Sequence, residues 1–301
     1  MPQLKRLTTT VPSIFSGRLT LKYLAQRWLT RIGLYDRLKA SVIYDAYWLI
    51  WNPSIIRERS REVDFYRATL AGFCKGDLIF DIGANEGYKT DIFLRLGARV
   101  VAVDPDHLNQ ERLRRKFLMF RRVPAPVRIV GEAVSASSGV LRMWVDEPGS
   151  AKNTLSAKWV DTLRTDNGRF GKSLNFTTAK EVSTTTLEAL IQTHGQPFYI
   201  KIDVEGHEPD VLRGLRQPVR YLSFEVNLPE FAAEGCECIR LLTKIAPTGE
   251  FNFARPTDAE LAMKRWVSGE ELLRDFSNIG DSSVEVYWRT TPLDSDKREF
   301  E

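Results

Sequence analysis

Cysteine is scarce in this chain, which excludes a fold held together by disulfide bonds. Among its 301 residues there are three cysteines, Cys74, Cys236 and Cys238. The single residue between the last two is too short a spacing for a zinc knuckle, and the chain has only three histidines to add as ligands. We therefore expect free or buried thiols in a reducing compartment, and hence a cytoplasmic protein.

A large excess of charge is also lacking. The 43 lysine and arginine residues are nearly matched by 39 acidic residues, and the formal net charge is +4. So small an excess gives no reason to expect a nucleic acid as the partner. With 43% hydrophobic and 27% charged residues, the composition is typical of a globular protein that buries a sizeable core.

Long hydrophobic runs are absent as well. The most apolar stretch, 42–51, has about half of the ~20 residues that a membrane-spanning helix needs, and Asp45 interrupts it. Residues 7–20 mix Thr, Pro, Ser, Gly and Arg, so we predict no signal peptide. The sequence therefore predicts neither a transmembrane span nor secretion.

Basic and aromatic residues recur at helical spacing near the N-terminus, and they predict a helical extension over residues 1–65. Two interpretations remain open. These helices pack on the following domain and turn a basic face to solvent, or they contact a membrane surface or a second copy of the chain. A single domain is predicted over 66–290, followed by a charged tail over 291–301.

From residue 77 onward, short apolar runs alternate with helical stretches. Helices are expected between the runs, including one at 258–276, and the Gly-, Ser-, Thr- and Asn-rich segment 146–180 is expected to be a long loop or lid. Such alternation predicts an α/β fold with a parallel sheet covered on both faces. The predicted strands are 78–81, 99–104, 127–130, 140–145, 198–203, 221–225, 251–253 and 283–288.

Four of these predicted strands end in an acidic residue, namely Asp81, Asp104, Asp203 and Glu225. In a parallel sheet the carboxyl ends of the strands meet at one edge, where ligands bind. Carboxylates gathered at one edge are costly unless they meet water, hydrogen-bond donors or a cation. The sequence therefore predicts a binding site at this edge.

The first of these strand ends continues into a glycine-containing turn, Asp-Ile-Gly-Ala-Asn-Glu-Gly at 81–87. Gly83 and Gly87 permit a tight turn and the close approach of a ligand to the backbone. Asp81 suits a ligand with a cationic ammonium group. Asp104, about twenty residues later, suits two ribose hydroxyls. Together these features favour adenosine joined to an amino acid, as in S-adenosylmethionine; the alternative is an ordinary turn with a capping Asp.

A third element of the predicted pocket follows the 127–130 strand. Glu132, or the backbone beside it at Ala133, is placed to accept the exocyclic amine of an adenine. A nicotinamide-dependent oxidoreductase is a weaker alternative, because the glycine spacing departs from G-x-G-x-x-G and no Tyr-x-x-x-Lys pair lies near the fourth strand. A non-catalytic binding protein that keeps the fold is a further alternative.

The most unusual motif is Lys-Ile-Asp-Val-Glu-Gly-His-Glu at 201–208. Acidic residues this close together repel one another, which raises their pKa values and suits them to accept protons near neutral pH. Asp203 is the first candidate for a catalytic base, with Glu205 and Glu225 as second choices. In a less favoured variant, Asp203, Glu225 and Asn227 bind Mg²⁺ through oxygen ligands.

With these motifs, the sequence resembles the FkbM-type methyltransferases. The resemblance rests on 81–87, 132–135, 200–208 and 211–214, and it covers roughly residues 76–230. It implies a Rossmann-like sheet of seven strands, mostly parallel with the last strand antiparallel. It also implies S-adenosylmethionine as the cofactor and O-methylation of a small molecule such as a sugar, a glycolipid or a secondary metabolite.

The same resemblance implies which residues hold the cofactor: Asp81, Gly83, Asn85, Gly87 and Asp104. The chain departs from the family pattern at Asp104, which precedes Pro105 where the family usually has Glu-Pro. The shorter side chain still suits the ribose. The N-terminal 65 residues lie outside the resemblance.

Overall fold

The computed structural model describes residues 53–117, 126–165, 176, 178–256, 258–276, 279–280 and 283–290. Three predictions fall wholly or partly outside these residues. They are most of the helical N-terminal extension, the 166–175 part of the predicted lid, and the charged tail.

Eleven strands are formed by the described residues. They are β1 (Leu78–Ile82), β2 (Arg99–Val103), β3 (Val127–Val130), β4 (Ala133–Val134), β5 (Gly139–Val145), β6 (Thr178–Thr185), β7 (Tyr199–Ile202), β8 (Tyr221–Val226), β9 (Glu250–Ala254), β10 (Val267–Ser268) and β11 (Val284–Arg289).

The described helices lie mostly between these strands. They are α1 (Pro53–Thr69), α2 (Tyr88–Leu96), α3 (His107–Lys116), α4 (Ala157–Thr165), α5 (Leu187–His194), α6 (Glu208–Arg213), α7 (Ala232–Ile245) and α8 (Gly269–Asp275).

The main sheet has the order β10-β9-β11-β8-β7-β1-β2-β3. The five strands from β8 to β3 are parallel, and β11 runs antiparallel to both β8 and β9. The predicted α/β sheet, mostly parallel with its last strand antiparallel, is therefore confirmed. It has eight strands rather than seven, because the two-residue strand β10 pairs with β9 at one edge and is too short to leave a periodic signal.

Helices cover both faces of this sheet. On one face Val63 and Tyr66 of α1 and Phe93 of α2 pack with strand residues such as Ile79, Val100 and Tyr199. On the other face α4, α5, α6 and α7 pack against strand residues such as Phe80, Val101 and Ile200. Helix α1 spans the predicted domain boundary at residue 65 and joins the core of the sheet.

Three secondary-structure predictions are corrected by the fold. The segment 146–180 was predicted as a loop, but it contains helix α4 (Ala157–Thr165). Strand β6 was not predicted, since its sequence is polar and only two of its eight residues are buried; it pairs with β4 and β5 in a separate three-stranded sheet. The helix predicted over 258–276 is wrong before residue 269. It begins only after Ser268, whose side chain accepts the backbone N–H of Glu271 at 3.2 Å as the N-terminal cap.

No helix in the described ranges combines the length and the apolar composition that crossing a bilayer requires.

Candidate functional site

The carboxyl ends of β1, β2 and β7 open into a cleft with an empty volume of about 600 Å³. The loop between β5 and α4 forms its opposite wall. Seven of the predicted site residues line this cleft, whereas Asp81, Gly87 and Glu225 do not. The seven are Gly83, Asn85, Asp104, Glu132, Ala133, Asp203 and Glu205.

Gly83 brings the end of β1 against the end of β7. Its φ is 82°, in the left-handed region that favours glycine. A Cβ at this position would lie 1.8 Å from the carbonyl oxygen of Asp203, which is part of the backbone. Only glycine therefore allows the turn after β1 and the acidic turn after β7 to share one cleft.

Asn85 presents an unpartnered oxygen at the bottom of the same turn. Its φ of 47° is one of two positive values among the described non-glycine residues. Its backbone N–H donates to Oδ2 of Asp104 at 2.8 Å. Its own Oδ1 is buried and has no hydrogen-bond partner within the described part of the chain. A ligand that donates a hydrogen bond here would remove the cost of this buried acceptor.

Asp104 is 6% exposed and accepts several hydrogen bonds. Besides Asn85, the backbone N–H of Asp106 donates to it at 2.9 Å and the amide of Asn109 at 3.4 Å. Burial nevertheless raises the pKa of Asp104 to about 6. A carboxylate in this position would be stabilised by further donors, such as a pair of vicinal hydroxyls.

Asp81 and Gly87 lie away from the cleft. Asp81 is 2% exposed, accepts the hydroxyl of Thr90 at 2.5 Å and lies opposite Lys201 in the β1–β7 pairing, and burial raises its pKa. Gly87 precedes α2 with a φ of 76°; a Cβ there would lie 2.6 Å from Leu113. Both residues therefore contribute to the structure of the turn and not to the lining of the cleft.

Glu132 and Ala133 lie at the third side of the cleft. Glu132 follows β3 and is half-buried, and Ala133 begins β4 and is buried. Both line the cleft beside Asp104.

Asp203 is paired with a buried cation. The Lys201 ammonium donates to its Oδ2 at 2.8 Å, while the Asp203 side chain remains 34% exposed toward the cleft. Burial alone would raise the pKa of Asp203, but the Lys201 ammonium outweighs burial and holds the pKa below its ordinary value. Asp203 is therefore ionised at neutral pH.

Glu205 is held in the cleft by the loop after β5. Its φ is 53°, and its Oε1 accepts the ammonium of Lys152 at 3.0 Å. Its backbone oxygen accepts the hydroxyl of Thr154 at 2.7 Å. Burial raises the pKa of Glu205 to about 7, even though Lys152 opposes this shift. Glu205 is thus able to exchange a proton near neutral pH.

Glu225 lies beside Asp203 but does not line the cleft. It accepts a hydrogen bond from Ser283 and lines a smaller cavity of about 220 Å³ together with Asn227. Burial, with the negative charges of Asp203 and Glu205, raises its pKa to about 8. Glu225 therefore carries a proton at neutral pH beside the ionised Asp203.

Glu208 and His207 are structural in this arrangement. Oε1 of Glu208 accepts the backbone N–H groups of Val204 and Gly206 at 3.1 and 3.2 Å, which closes the turn that carries Glu205. His207 is buried, and its Nε2 lies 3.1 Å from the hydroxyl of Ser135. Neither side chain lines the cleft.

Among the described residues, no group of three or more His, Cys, Asp or Glu side chains is arranged to hold a metal ion.

Lys201, Lys152 and Asp106 are among the residues of the site that the sequence did not predict as such. Lys201 had a signal, because residues at 199, 201 and 203 of one strand share a face and Lys201 therefore lies beside Asp203. Lys152 and Asp106 had none, since their partners are 53 and more than 40 residues distant in the chain.

Comparison with known proteins gives one family and several solved structures. The family model for the methyltransferase FkbM domain matches residues 81–235. The solved structures include the methyltransferase FkbM from Methylobacillus flagellatus, with 13% identity over 74% of this chain and 46% of that chain and a TM-score of 0.47. The SAM-dependent methyltransferase from Agrobacterium tumefaciens has 9% identity over 78% of this chain and 62% of that chain, with a TM-score of 0.39.

The precorrin-6y C5,15-methyltransferase from Geobacter metallireducens has 10% identity over 77% of this chain and 86% of that chain, with a TM-score of 0.38. The chain thus spans less than two thirds of the length of the first two structures. A comparison with curated proteins finds no match.

Proposed function

Because the chain belongs to the FkbM methyltransferase domain family, we propose that it transfers the methyl group of S-adenosylmethionine to a hydroxyl oxygen of a sugar, a glycolipid or a secondary metabolite. The observation that carries the proposal is the cleft itself. It brings an adenosine-type pocket at β1 and β2 next to an ionised carboxylate at β7.

The residues of the cleft fit the proposed cofactor. Asp104 is a buried carboxylate that gains from additional donors, as two ribose hydroxyls would supply. The unpartnered Oδ1 of Asn85 is a second acceptor beside it. Gly83, Glu132 and Ala133 line the same cleft, and in this proposal Glu132 or the backbone at Ala133 receives the adenine amine.

S-adenosylmethionine, when bound, supplies an electrophilic methyl group on a cationic sulfur. Asp203 then has two tasks in the proposed reaction: to orient the acceptor hydroxyl by accepting its hydrogen bond, and to take its proton. Orientation supplies much of the rate when the reacting atoms are held at about 3–3.5 Å. A positioned base adds about 10²–10⁴-fold.

The lowered pKa of Asp203 is compatible with the role of base. A hydroxyl oxygen becomes strongly acidic as it gains a methyl group, so a weak base that is always ionised is sufficient. The pairing with Lys201 keeps Asp203 in this charged form.

Glu205 and Glu225 remain the second choices. Glu205 lines the cleft and has a pKa of about 7, so it is suited to direct proton exchange with an acceptor. Glu225 lies outside the lining and would act through Asp203. The carboxylates at this edge also suit an acceptor with several hydroxyls, since each oxygen accepts hydrogen bonds.

Calorimetry with S-adenosylhomocysteine and, separately, NAD⁺ tests the cofactor. We expect heat of binding from S-adenosylhomocysteine and none from NAD⁺. Asp104→Asn should weaken the binding of S-adenosylhomocysteine, and Glu111→Gln should leave it unchanged. Glu111 is the matched control because it lies on α3, outside the cleft. Absence of binding by folded wild-type protein, or binding of NAD⁺ instead, would refute the proposal.

Labelled S-adenosylmethionine with a panel of sugars, glycolipids and polyketide-type metabolites tests the transfer. Once an acceptor is found, Asp203→Asn should bind cofactor normally and lose about 10²-fold or more in rate. Asp210→Asn, on the exposed side of α6, is its control. Transfer at the wild-type rate by Asp203→Asn would remove Asp203 from the mechanism, and transfer to nitrogen or carbon acceptors alone would overturn O-methylation.

A further inference from the structure

The wall of the cleft opposite β1 and β2 is a single loop, residues 146–155, between β5 and α4. We refer to it as the cleft loop. Ser150, Ala151, Asn153, Thr154 and Leu155 from this loop line the cleft. It is the N-terminal part of the segment 146–180 that was predicted to be a long loop or lid, and it lines the same cleft as Asn85 and Asp104.

The Asp106 carboxylate attaches the cleft loop to the turn after β2, and the Arg112 guanidinium on α3 donates to the Gly149 carbonyl at 3.4 Å. Oδ2 of Asp106 accepts the backbone N–H of Gly149 at 3.0 Å and the side-chain amide of Asn153 at 3.1 Å. These partners are 43 and 47 residues away in the chain. Asp106 is 5% exposed, so these hydrogen bonds are protected from competition by water.

The other oxygen of Asp106 has a separate task. Oδ1 accepts the backbone N–H groups of Leu108 at 2.8 Å and Asn109 at 3.4 Å, which caps α3. A helix cap needs only this oxygen. The second oxygen is committed to the loop, so both oxygens of the carboxylate are occupied by groups of the protein itself.

Asn153 organises the cleft loop internally. Its Oδ1 accepts the backbone N–H of Asp146 at 3.0 Å, and its amide donates to the carbonyl of Glu147 at 3.0 Å as well as to Asp106. One side chain therefore holds both the shape of the loop and its attachment to the β2–α3 turn.

A second fastening lies at the other end of the cleft. Lys152 pairs with the Glu205 carboxylate, and Thr154 donates to the Glu205 backbone oxygen. Thr154 also forms a β-bridge with Trp144 at the end of β5. The loop thus spans the distance from the proposed ribose-binding turn to the acidic turn after β7.

We propose that the cleft loop is the outer wall of the cofactor site, and that Asp106 is a positioning residue that holds this wall across the bound adenosine. The inference rests on the proposed function and goes beyond it. The same loop carries Lys152 to Glu205, so one segment supplies both this wall and the charged partner of the Glu205 carboxylate.

The variant Asp106→Asn separates the two tasks of this side chain. Asparagine caps helices about as well as aspartate, so α3 keeps its cap. Its amide nitrogen, however, is a donor and faces two donors, the N–H of Gly149 and the amide of Asn153. We expect S-adenosylhomocysteine to bind about tenfold more weakly or worse, and the Gly149 amide to exchange hydrogen faster in the free protein.

Asn153→Ala is a second substitution, and it leaves the α3 cap unchanged. It should likewise weaken the binding of S-adenosylhomocysteine and speed hydrogen exchange at the Gly149 amide. Ser268→Ala is the control: it removes a helix cap on α8, far from the cleft lining, and should change neither measurement. If both loop variants fail to fold where the control folds, the loop is a structural part of the core and the inference is wrong.

Two outcomes overturn the inference and one bears on the function instead. Unchanged affinity with faster exchange at Gly149 would mean that Asp106 holds the loop but that the loop is no part of the cofactor site. Unchanged exchange would mean that Asp106 does not hold the loop. Absence of thioether binding by the wild-type protein would refute the proposed function, and the exchange measurement would still test the attachment.

Discussion

The ammonium nitrogen of Lys201 lies 2.8 Å from Oδ2 of Asp203, and Lys201 is only 3% exposed. In the pairing of β1 with β7, Lys201 also lies opposite Asp81. Burial lowers the pKa of Lys201, but the carboxylates of Asp203, Glu285 and Asp81 outweigh burial and raise it. Two predicted functional carboxylates, Asp81 behind the glycine turn and Asp203 in the cleft, therefore share the buried cation of Lys201.

The substitution Lys201→Met should destabilise the protein by about 3–5 kcal/mol, because it leaves buried carboxylates without their cation. Urea denaturation measures this change. Replacing Asp203 by Asn in the same chain should recover part of the loss, since the partner charge is then removed too. The exposed Lys244→Met is the control and should stay within about 0.5 kcal/mol. A Lys201→Met protein as stable as the wild type would show that the pair contributes nothing.

Gly83→Ala should abolish cofactor binding and cost well over 1 kcal/mol of stability. The added Cβ meets the Asp203 carbonyl at 1.8 Å, and neither backbone segment can give way without moving a strand of the sheet.

Gly76→Ala is the matched control for this change. Gly76 has a φ of 94° but no atom within 4 Å of an added Cβ, so it reports the cost of the left-handed backbone alone, about 1–2 kcal/mol. Comparing the thermal unfolding of the two variants separates the cost of backbone strain from the cost of the steric clash. Equal losses in the two proteins would contradict the close approach of Gly83 to β7.

The parts of the fold that could be predicted have local signals. Strands β1, β2 and β7 are runs of apolar residues buried on both faces, and Gly83 marks a turn that only glycine permits. Strand β6 could not be predicted, because a polar strand with only two of its eight residues buried has no hydrophobic pattern.

The sequence predicts which site residues lie at the end of each strand, but not the contacts that these residues make with distant parts of the chain. Seven of its residues meet in the cleft because strand ends of a parallel sheet lie together. The position of Asp81 depends instead on the pleat: it shares a face with Ile79, beneath α2, and so lies under Thr90 rather than in the cleft. The attachments of Asp106 and Lys152 are long-range contacts, which no local pattern encodes.

The affinity for S-adenosylhomocysteine should fall as the pH is lowered through about 6. Burial raises the pKa of Asp104 to about 6, and ribose hydroxyls donate to the ionised carboxylate. Below that pH, protonation competes with binding, and the affinity should drop by up to about tenfold per pH unit.

Calorimetry between pH 5 and pH 8 measures this dependence. Asp104→Asn, which cannot ionise at this position, should bind more weakly and should no longer lose affinity as the pH is lowered through 6. Glu205→Gln should still show this loss of affinity, since Glu205 titrates near pH 7 rather than 6. A wild-type affinity that is constant across the range would exclude Asp104 as the ribose acceptor.

Glu208 offers a test of how the acidic turn is held. Burial raises its pKa to about 8, so it is protonated at neutral pH while its Oε1 still accepts two backbone N–H groups. Glutamine matches this protonated form and keeps the accepting oxygen. Glu208→Gln should therefore fold normally at pH 7, whereas Glu208→Ala leaves both N–H groups without an acceptor and should cost about 1–3 kcal/mol.

The pH dependence gives this last prediction its sign. Because the folded protein binds the Glu208 proton more tightly than the unfolded chain does, wild-type stability from this group is present below about pH 4.5 and is lost as the pH rises toward 8. Glu208→Gln removes that loss, so its stability relative to the wild type should improve between pH 5 and pH 8. Urea denaturation at both pH values measures the difference. A gap between the two proteins that does not change with pH would mean that Glu208 is ionised in the folded state and that the turn carries a buried negative charge.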